Sequence, residues 1–305
     1  PRNFVFRSRE FSQMEIEYFI HPNKINDCPL LGKTHKSFEL NVLTADAKKH
    51  EKMKISQLLD DNIIKTPWHA YWIVESVQWL ISLGIKKENL RIRQHSKTEL
   101  SHYSLETWDI EYSYPWGWKE LEGIANRTDF DLKQHSKFSG KDLTYFDDET
   151  KEKVIPYVIE PSIGVDRLIL TLLFDTYTEK KEKDETKTVL ELNGRISPIQ
   201  VAVLPLMKKD GMSDKAKEVA NDLRKSFVVE YDDAGSVGKR YARNDEIGTP
   251  YCVTIDYDSL EKDDCTVRDR TSTKQVRVKI KDLPEIVCNL LNDEMKFEKA
   301  GKLVK

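Results

Sequence analysis

Arg7, Phe11 and Glu15 stand four residues apart in the segment NFVFRSREFSQMEIEYF. Side chains of a β-strand alternate between its two faces. Extended over residues 4–20, the segment is expected to put Arg7, Arg9, Phe11, Glu15 and Glu17 on one face and Met14, Ile16, Tyr18 and Ile20 on the other. Two cations, a ring and two anions in a row are a costly way to build a core. The same row suits a ligand that carries phosphates, a flat base and an amine. Guanidinium forks match phosphate oxygens, and paired carboxylates offset the desolvation of an ammonium. A second segment, Glu160-Pro-Ser-Ile-Gly-Val-Asp-Arg167, leads into the apolar run LILTLLF. It puts Arg167 just inside a helix N-terminus, where backbone N–H groups favour anions.

The elements that must hold these residues follow from periodicity. Thr66-Pro67 predicts a helix start, Ala70, Ile73, Val74, Val77, Leu80 and Ile81 recur at helical spacing, and Gly84 supplies a stop. Residues 90–94 and 108–125 are expected to be strands, the second with Trp116, Trp118, Glu120 and Glu122 sharing a face. Residues 154–162 predict another strand, with Val158, Glu160 and Ser162 on one side, and residues 164–177 a helix apolar nearly all round, hence buried. Strands with few helices between them imply an antiparallel sheet with flanking helices. The run EKKEKDETK is expected to be a solvated loop.

After Ser197-Pro198 the pattern changes. IQVAVLPL predicts a strand covered on both faces, Ser213 caps a helix expected to run to Phe227, and VVEYD is a further strand. A helix around residues 238–247, the runs YCVTIDY, CTVRDR and QVRVKI, and a helix over 283–291 complete a compact α/β arrangement. The fold class is α/β overall, with two expected domains, 1–195 and 196–305.

With 39% hydrophobic and 33% charged residues, the composition is that of a globular chain, and no apolar stretch is long enough to span a bilayer. Cys28, Cys252, Cys265 and Cys288 form no Cys-x2-Cys pair, and the seven histidines show no ligand spacing. A disulfide framework or zinc site is therefore not expected, and a reducing cytoplasm fits. The net charge of −3 gives no general nucleic-acid footprint, so RNA contact would have to come from local patches. Gly235-Ser-Val-Gly238-Lys239 does not satisfy the phosphate-loop pattern.

Arg7-x3-Phe11-x3-Glu15 and the acid–Arg pair Asp166-Arg167 resemble the second and third motifs of class II aminoacyl-tRNA synthetases. The Glu160-Pro-Ser opening, RSREFSQMEIEYF, WKELEGIANRTDFDL and YARNDEIGTPYCVTIDYD are similar to glycyl-tRNA synthetases, and the resemblance covers most of the chain. It implies ATP with Mg²⁺, glycine and tRNA(Gly) as ligands, a homodimer and a cytoplasmic setting. Arg7 and Arg167 would act on the triphosphate from opposite sides, and Phe11 and Arg167 would sandwich the adenine. Ser8, Arg9, Glu10 and Ser12 would belong to the ATP subsite. Glu120 and Leu121 would lie at its metal-binding edge, with Glu120 meeting Mg²⁺ through the nucleotide. Glu15 and Glu160 would share the glycine ammonium, assisted by Ser162.

Residues 196–305 are similar in element order to the anticodon-binding domain of glycyl, histidyl, prolyl and threonyl enzymes. Lys239, Arg240, Arg243, Arg268 and Arg270, with Lys274 and Arg277 beyond them, would then be candidate RNA contacts. Arg93, His95 and His102 also look like the family, without an assigned role. The family's first motif and the Phe-Arg-x-Glu strand before the second have no counterpart before Pro1, so a truncated chain is expected. Two other readings stand beside this one. One is a non-catalytic module on the same scaffold, such as the synthetase-like accessory subunit of a mitochondrial DNA polymerase, in which the ATP-site residues would be eroded. The other is a prolyl, threonyl or histidyl synthetase.

Overall fold

The computed structural model describes residues 3–6, 8, 11–100, 104–182 and 185–304. The expectations for Arg7, Arg9, Glu10 and His102 lie outside the described residues. Contacts divide the chain into two units, Pro1–Phe174 and Asp175–Lys305.

The first unit has the strands β1 (Gln13–Glu15), β2 (Tyr18–Ile20), β3 (Glu39–Leu43), β4 (Glu51–Lys54), β5 (Leu90–Gln94), β6 (Glu106–Tyr114), β7 (Gly117–Thr128), β8 (Tyr145–Asp147), β9 (Glu152–Val154) and β10 (Tyr157–Gly164). Its helices are α1 (Lys33–Ser37), α2 (Ile55–Asp60), α3 (Pro67–Ser82), α4 (Phe130–Ser139) and α5, which spans Val165–Thr176. Among the described residues, eight strands form one sheet in the order β1-β10-β7-β6-β5-β3-β4, with β2 also on β10. Thr66 caps α3 by accepting the His69 N–H, as its side chain and the following Pro67 predict. Ile73, Val74, Val77 and Leu80 of α3 are fully buried, and the helix packs on β6, β7 and β10. The opposite face of those strands is left to carry the site.

Four expectations need correction in this unit. The long strand over residues 4–20 is a turn at its start, where the Phe6 N–H donates to Asn3 O at 3.0 Å and Phe4 has φ of 49°. Regular pairing begins only at Gln13, because that is where β10 supplies a partner. Residues 108–125 are two strands, turned at Pro115–Trp116, rather than one. Glu120 and Glu122 do not share a face: Glu111 pairs Glu120 while Ile110 pairs Glu122, so Leu121 is an inserted bulge residue that re-aims the strand. Finally, α5 is not buried all round. Leu168 and Leu172 are covered, whereas Ile169 and Leu173 are 51% and 41% exposed.

In the second unit, Tyr177–Glu182 (β11) and Glu185–Leu190 (β12) form an antiparallel hairpin across the charge run that was expected to be a loop. Val189 is buried, and Lys180 pairs Glu191 at 2.9 Å and donates to Thr271 O, so the charges decorate a strand pair instead of a coil. Next come β13 (Val201–Pro205), α6 (Met212–Leu223), β14 (Val229–Tyr231), α7 (Val237–Ile247), β15 (Tyr251–Ile255) and α8 (Tyr257–Lys262). The unit ends with β16 (Asp264–Asp269), β17 (Gln275–Lys279), α9 (Leu283–Leu291) and β18 (Lys302–Leu303). The sheet order is β14-β13-β15-β16-β17-β18, parallel over the first three strands and antiparallel over the rest. All five residues of β13 are buried, as the apolar run predicts. Helix α6 starts one residue before Ser213, after a left-handed Gly211, and stops at Leu223 rather than Phe227. Ala216, Val219, Ala220 and Leu223 face the core as expected.

Gly248 ends α7 with φ of +84°, and a Cβ there would come within 2.8 Å of Leu192 Cδ1 and 3.2 Å of Leu190 O. Both the left-handed backbone and the close approach require glycine. Gly248→Ala is expected to destabilise this unit by about 1–3 kcal/mol. Amide hydrogen exchange in β15 measures it, and unchanged protection there would refute the prediction.

Candidate functional site

The two segments distinguished by their side-chain chemistry are cross-strand neighbours. Strand β1 pairs antiparallel with β10, so that Glu15 lies opposite Ser162 and Gln13 opposite Gly164. Alternation then separates two faces. Met14, Ile16, Pro161 and Ile163 look toward α3, whereas Gln13 and Ser162 line the open side. The Gln13 amide ties the row together by donating to Glu15 at 2.7 Å and to the Ser162 hydroxyl.

Carboxylate oxygens of Glu15, Glu17 and Glu160 all lie within 4.8 Å of one another. Three like charges at this distance cannot all ionise freely. Partial burial, then the neighbouring Glu160 and Glu15, push the Glu17 carboxyl up to about 7. Arg127 offsets part of the charge: it bonds Glu160 at 2.8–2.9 Å and Asp131 at 2.6 Å. A cation would relieve the repulsion that remains.

Beside this cluster is a pocket of about 220 Å³ lined by Phe6, Ser8, Phe11, Glu120, Asp166 and Arg167, among others. Arg167, the third residue of α5, donates to Glu120 Oε1 at 2.9 Å, Glu120 O at 3.0 Å and Phe6 O at 2.8 Å. Its Nε is buried and has no hydrogen-bond partner among the described residues. Its guanidinium lies 5.8 Å from the Phe6 ring centroid, while Phe11 stands 57% exposed in the same pocket. Ser12 contributes its carbonyl, which accepts the Val165 N–H at 2.9 Å and ties β1 to the start of α5. The Leu121 side chain is fully buried, so it supports Glu120 from behind and does not face the pocket.

A ring, a guanidinium and a carboxylate thus surround one pocket, with a triple-carboxylate cluster at its edge. Over 299 residues, 95% of its length, the chain is 46% identical to a glycine–tRNA ligase of Thermobifida fusca (strain YX), covering 56% of that protein. It is 47% identical over 288 residues (94% of the chain) to a glycine–tRNA ligase of Clostridium kluyveri, covering 53% of it. Over 284 residues (93%) it is 48% identical to that of Acetivibrio thermocellus, covering 52%. The chain is a relative of the glycine–tRNA ligases. It spans about half the length of the curated relatives it matches. Residues 200–290 match the family described as Anticodon binding domain.

In this relative of the glycine–tRNA ligases, the five cations singled out in the second unit separate by burial. Arg240 is 2% exposed and donates to the carbonyls of Pro205, Leu206 and Asp232, closing the end of β13. Arg268 makes a two-point bond to Asp245 at 2.7 and 2.9 Å, and Arg270 donates to the carbonyls of Gly248 and Leu192. These three are corrected from RNA contacts to structural groups, because guanidinium donors already committed to buried partners are not presented to a phosphate. Lys239 and Arg243 remain on the surface, Arg243 with a bond to Asp232.

Three further residues belong to the site without standing out in the sequence: Gln13, Arg127 and Phe6. Arg127 sits inside the WKELEGIANRTDFDL run, but nothing in one dimension says that it reaches Glu160. Phe6 lies in a turn where an extended strand was expected.

Proposed function

We propose that this chain carries the ATP- and glycine-binding surface and the anticodon-binding unit of a glycine–tRNA ligase. It would activate glycine with ATP and transfer it to tRNA(Gly). The observation that carries this reading is the convergence of Glu15, Glu17 and Glu160, with Ser162 opposite Glu15, beside the pocket of Phe11, Glu120 and Arg167.

In the first step the glycine carboxylate attacks the α-phosphate of ATP and expels pyrophosphate. No side-chain nucleophile is required, and rate comes from alignment and from cations placed where negative charge gathers. Glu15, Glu17 and Glu160 grip the ammonium, and Ser162 adds a hydrogen bond. Arg127 holds Glu160 in place. Lack of space for a β-carbon then excludes larger amino acids by overlap, which needs no second editing site. Arg167 fits an anionic ligand, since its Nε is buried and has no partner among the described residues. Glu120 fits a Mg²⁺ carried by ATP: only one of its oxygens is held by Arg167, and its side chain is half exposed. The metal would screen the charge on the phosphates. Phe11 offers a ring for the adenine. Lys239 and Arg243 are the candidate phosphate contacts of the second unit. A homodimer and a cytoplasmic setting belong to the same proposal; no helix of the described residues is long and apolar enough to cross a membrane.

The test is amino-acid-dependent pyrophosphate exchange by the full-length gene product. Exchange with glycine, and not with alanine, serine, proline or threonine, is expected. Activity with proline or threonine alone would overturn the substrate assignment.

A pH dependence follows from Glu17. Its carboxyl titrates near 7, above the ordinary glutamate value of 4.5, so near neutrality a share of the molecules hold it protonated. An ammonium binds better to the ionised form. Glycine KM is therefore expected to fall as pH rises through about 7, and Glu17→Gln to flatten that trend. A KM–pH profile unchanged in Glu17→Gln would refute it.

A further inference from the structure

On the far side of Glu160 and Ser162 lies a second chamber, of about 240 Å³, whose wall includes His95, Thr107, Asp109 and Arg127. It shares Ser162 and Glu120 with the nucleotide-side pocket, so the two chambers meet at the amine cluster. Activation uses neither His95 nor Asp109, yet both are built with care. Asp109, on β6, is 3% exposed, and its two oxygens are committed separately: Oδ2 accepts from Arg93 at 2.8 Å, and Oδ1 meets His95 Nε2 at 2.8 Å.

The Asp109 carboxylate, close to one ring nitrogen, favours the tautomer with the proton on that side. Nε2 carries the proton, and Nδ1 is left as the basic nitrogen. His95 is partly exposed at the chamber wall, and the floor behind it is kept low by Gly123 and Ala125. An oriented histidine at the edge of a chamber that opens on the aminoacyl group is the arrangement a weak hydroxyl nucleophile requires.

We propose that this chamber admits the ribose hydroxyl at the acceptor end of tRNA, and that His95, oriented by Asp109, takes the hydroxyl proton during transfer. The inference rests on the glycine–tRNA ligase reading and assigns a residue to its second step. The hydroxyl oxygen forms an ester bond to the glycyl carbonyl carbon. The bond from that carbon to the adenylate phosphate oxygen breaks, AMP departs with the electron pair, and the proton passes to His95 Nδ1. The charged groups facing His95 are Arg93 on β5, which ends just before it, Asp109 on β6 and Glu99 in the following loop, with Glu120, Arg127 and Glu160 elsewhere around the chamber. The bond to Asp109 raises the imidazole above its ordinary value. Since a proton acceptor must be neutral, transfer should accelerate with rising pH through that raised value and then level.

The test is single-turnover transfer of radiolabelled glycine to tRNA, alongside glycine-dependent pyrophosphate exchange, in the full-length protein and its His95→Gln variant. Transfer is expected to fall about 10²-fold and to lose its rise with pH, while exchange falls much less. Parallel loss of transfer and exchange would assign His95 a structural role and overturn the proposal, as would transfer that keeps its rate and pH profile. Asp109→Asn, with folding checked by thermal melting, should reproduce the pH change if Asp109 sets the tautomer. A wild-type protein without glycine-dependent exchange would instead sink the underlying ligase reading.

Discussion

Replacing Arg167 by alanine is expected to lower glycine-dependent pyrophosphate exchange by about 10²–10³-fold, the loss typical of removing one positioned donor to a developing charge. Its guanidinium is fixed from both sides, by Glu120 and by the Phe6 carbonyl, and it projects from the first turn of α5 into the pocket that holds Phe11. Such a group needs no reorganisation as charge develops. Arg167→Lys should recover little of the loss, because an ammonium cannot hold Glu120 and Phe6 while facing a ligand with a planar fork. The comparison is made on kcat with saturating ATP and glycine, with melting temperature as the control for folding. An Arg167→Ala enzyme within a few-fold of wild type would remove Arg167 from the catalytic account.

The second large effect is on stability. Asp245→Ala is expected to destabilise the second unit by about 3–5 kcal/mol, because it strands the buried Arg268 charge. Both partners are under a tenth exposed, and their two-point bond links α7 to β16. The Arg268 guanidinium also lies 4.8 Å from the Tyr241 ring centroid, so its apolar face is already covered. Asp245→Ala combined with Arg268→Met should restore much of the loss, since a packed apolar pair has no charge to desolvate. All six tryptophans lie in the first unit, so intrinsic tryptophan fluorescence would miss the change. Hydrogen exchange in β15 and β16 reads it directly. Equal destabilisation in the single and double variants would show that the pair's charges are not what holds the contact.

Much of the local structure was legible because it is local. The Thr66-Pro67 start of α3, the doubly covered β13 and helix α9 follow from capping, hydropathy and period, and each lies where those signals put it. The failures share one cause, which is that a partner elsewhere decided. Strand β1 begins where β10 offers hydrogen bonds, not where alternation begins. The charge run around Lys180 is a hairpin because Tyr177 and Leu190 can pair across it. The bulge at Leu121 depends on the register between β6 and β7, and it alone sends Glu120 to the pocket and Glu122 toward Ser76. Arg240, Arg268 and Arg270 look like surface cations in one dimension and are buried donors in three.

The sequence by itself determined the chemistry available: a ring, two acidic segments and Arg167 at a helix start, in a pattern resembling one synthetase family. Residue types and short-range spacing carry that information, because they set charge, hydrogen-bonding capacity and strand or helix period. Tertiary structure alone decided which of those groups meet. Pairing of β1 with β10 brought Glu15 opposite Ser162 and assembled the three-carboxylate cluster. Pairing of β7 with β10 recruited Arg127, and pairing of β5 with β6 set His95 against Asp109 at the wall of a neighbouring chamber. Long-range strand register and burial are properties of the folded sheet, and no spacing along the chain encodes them residue by residue.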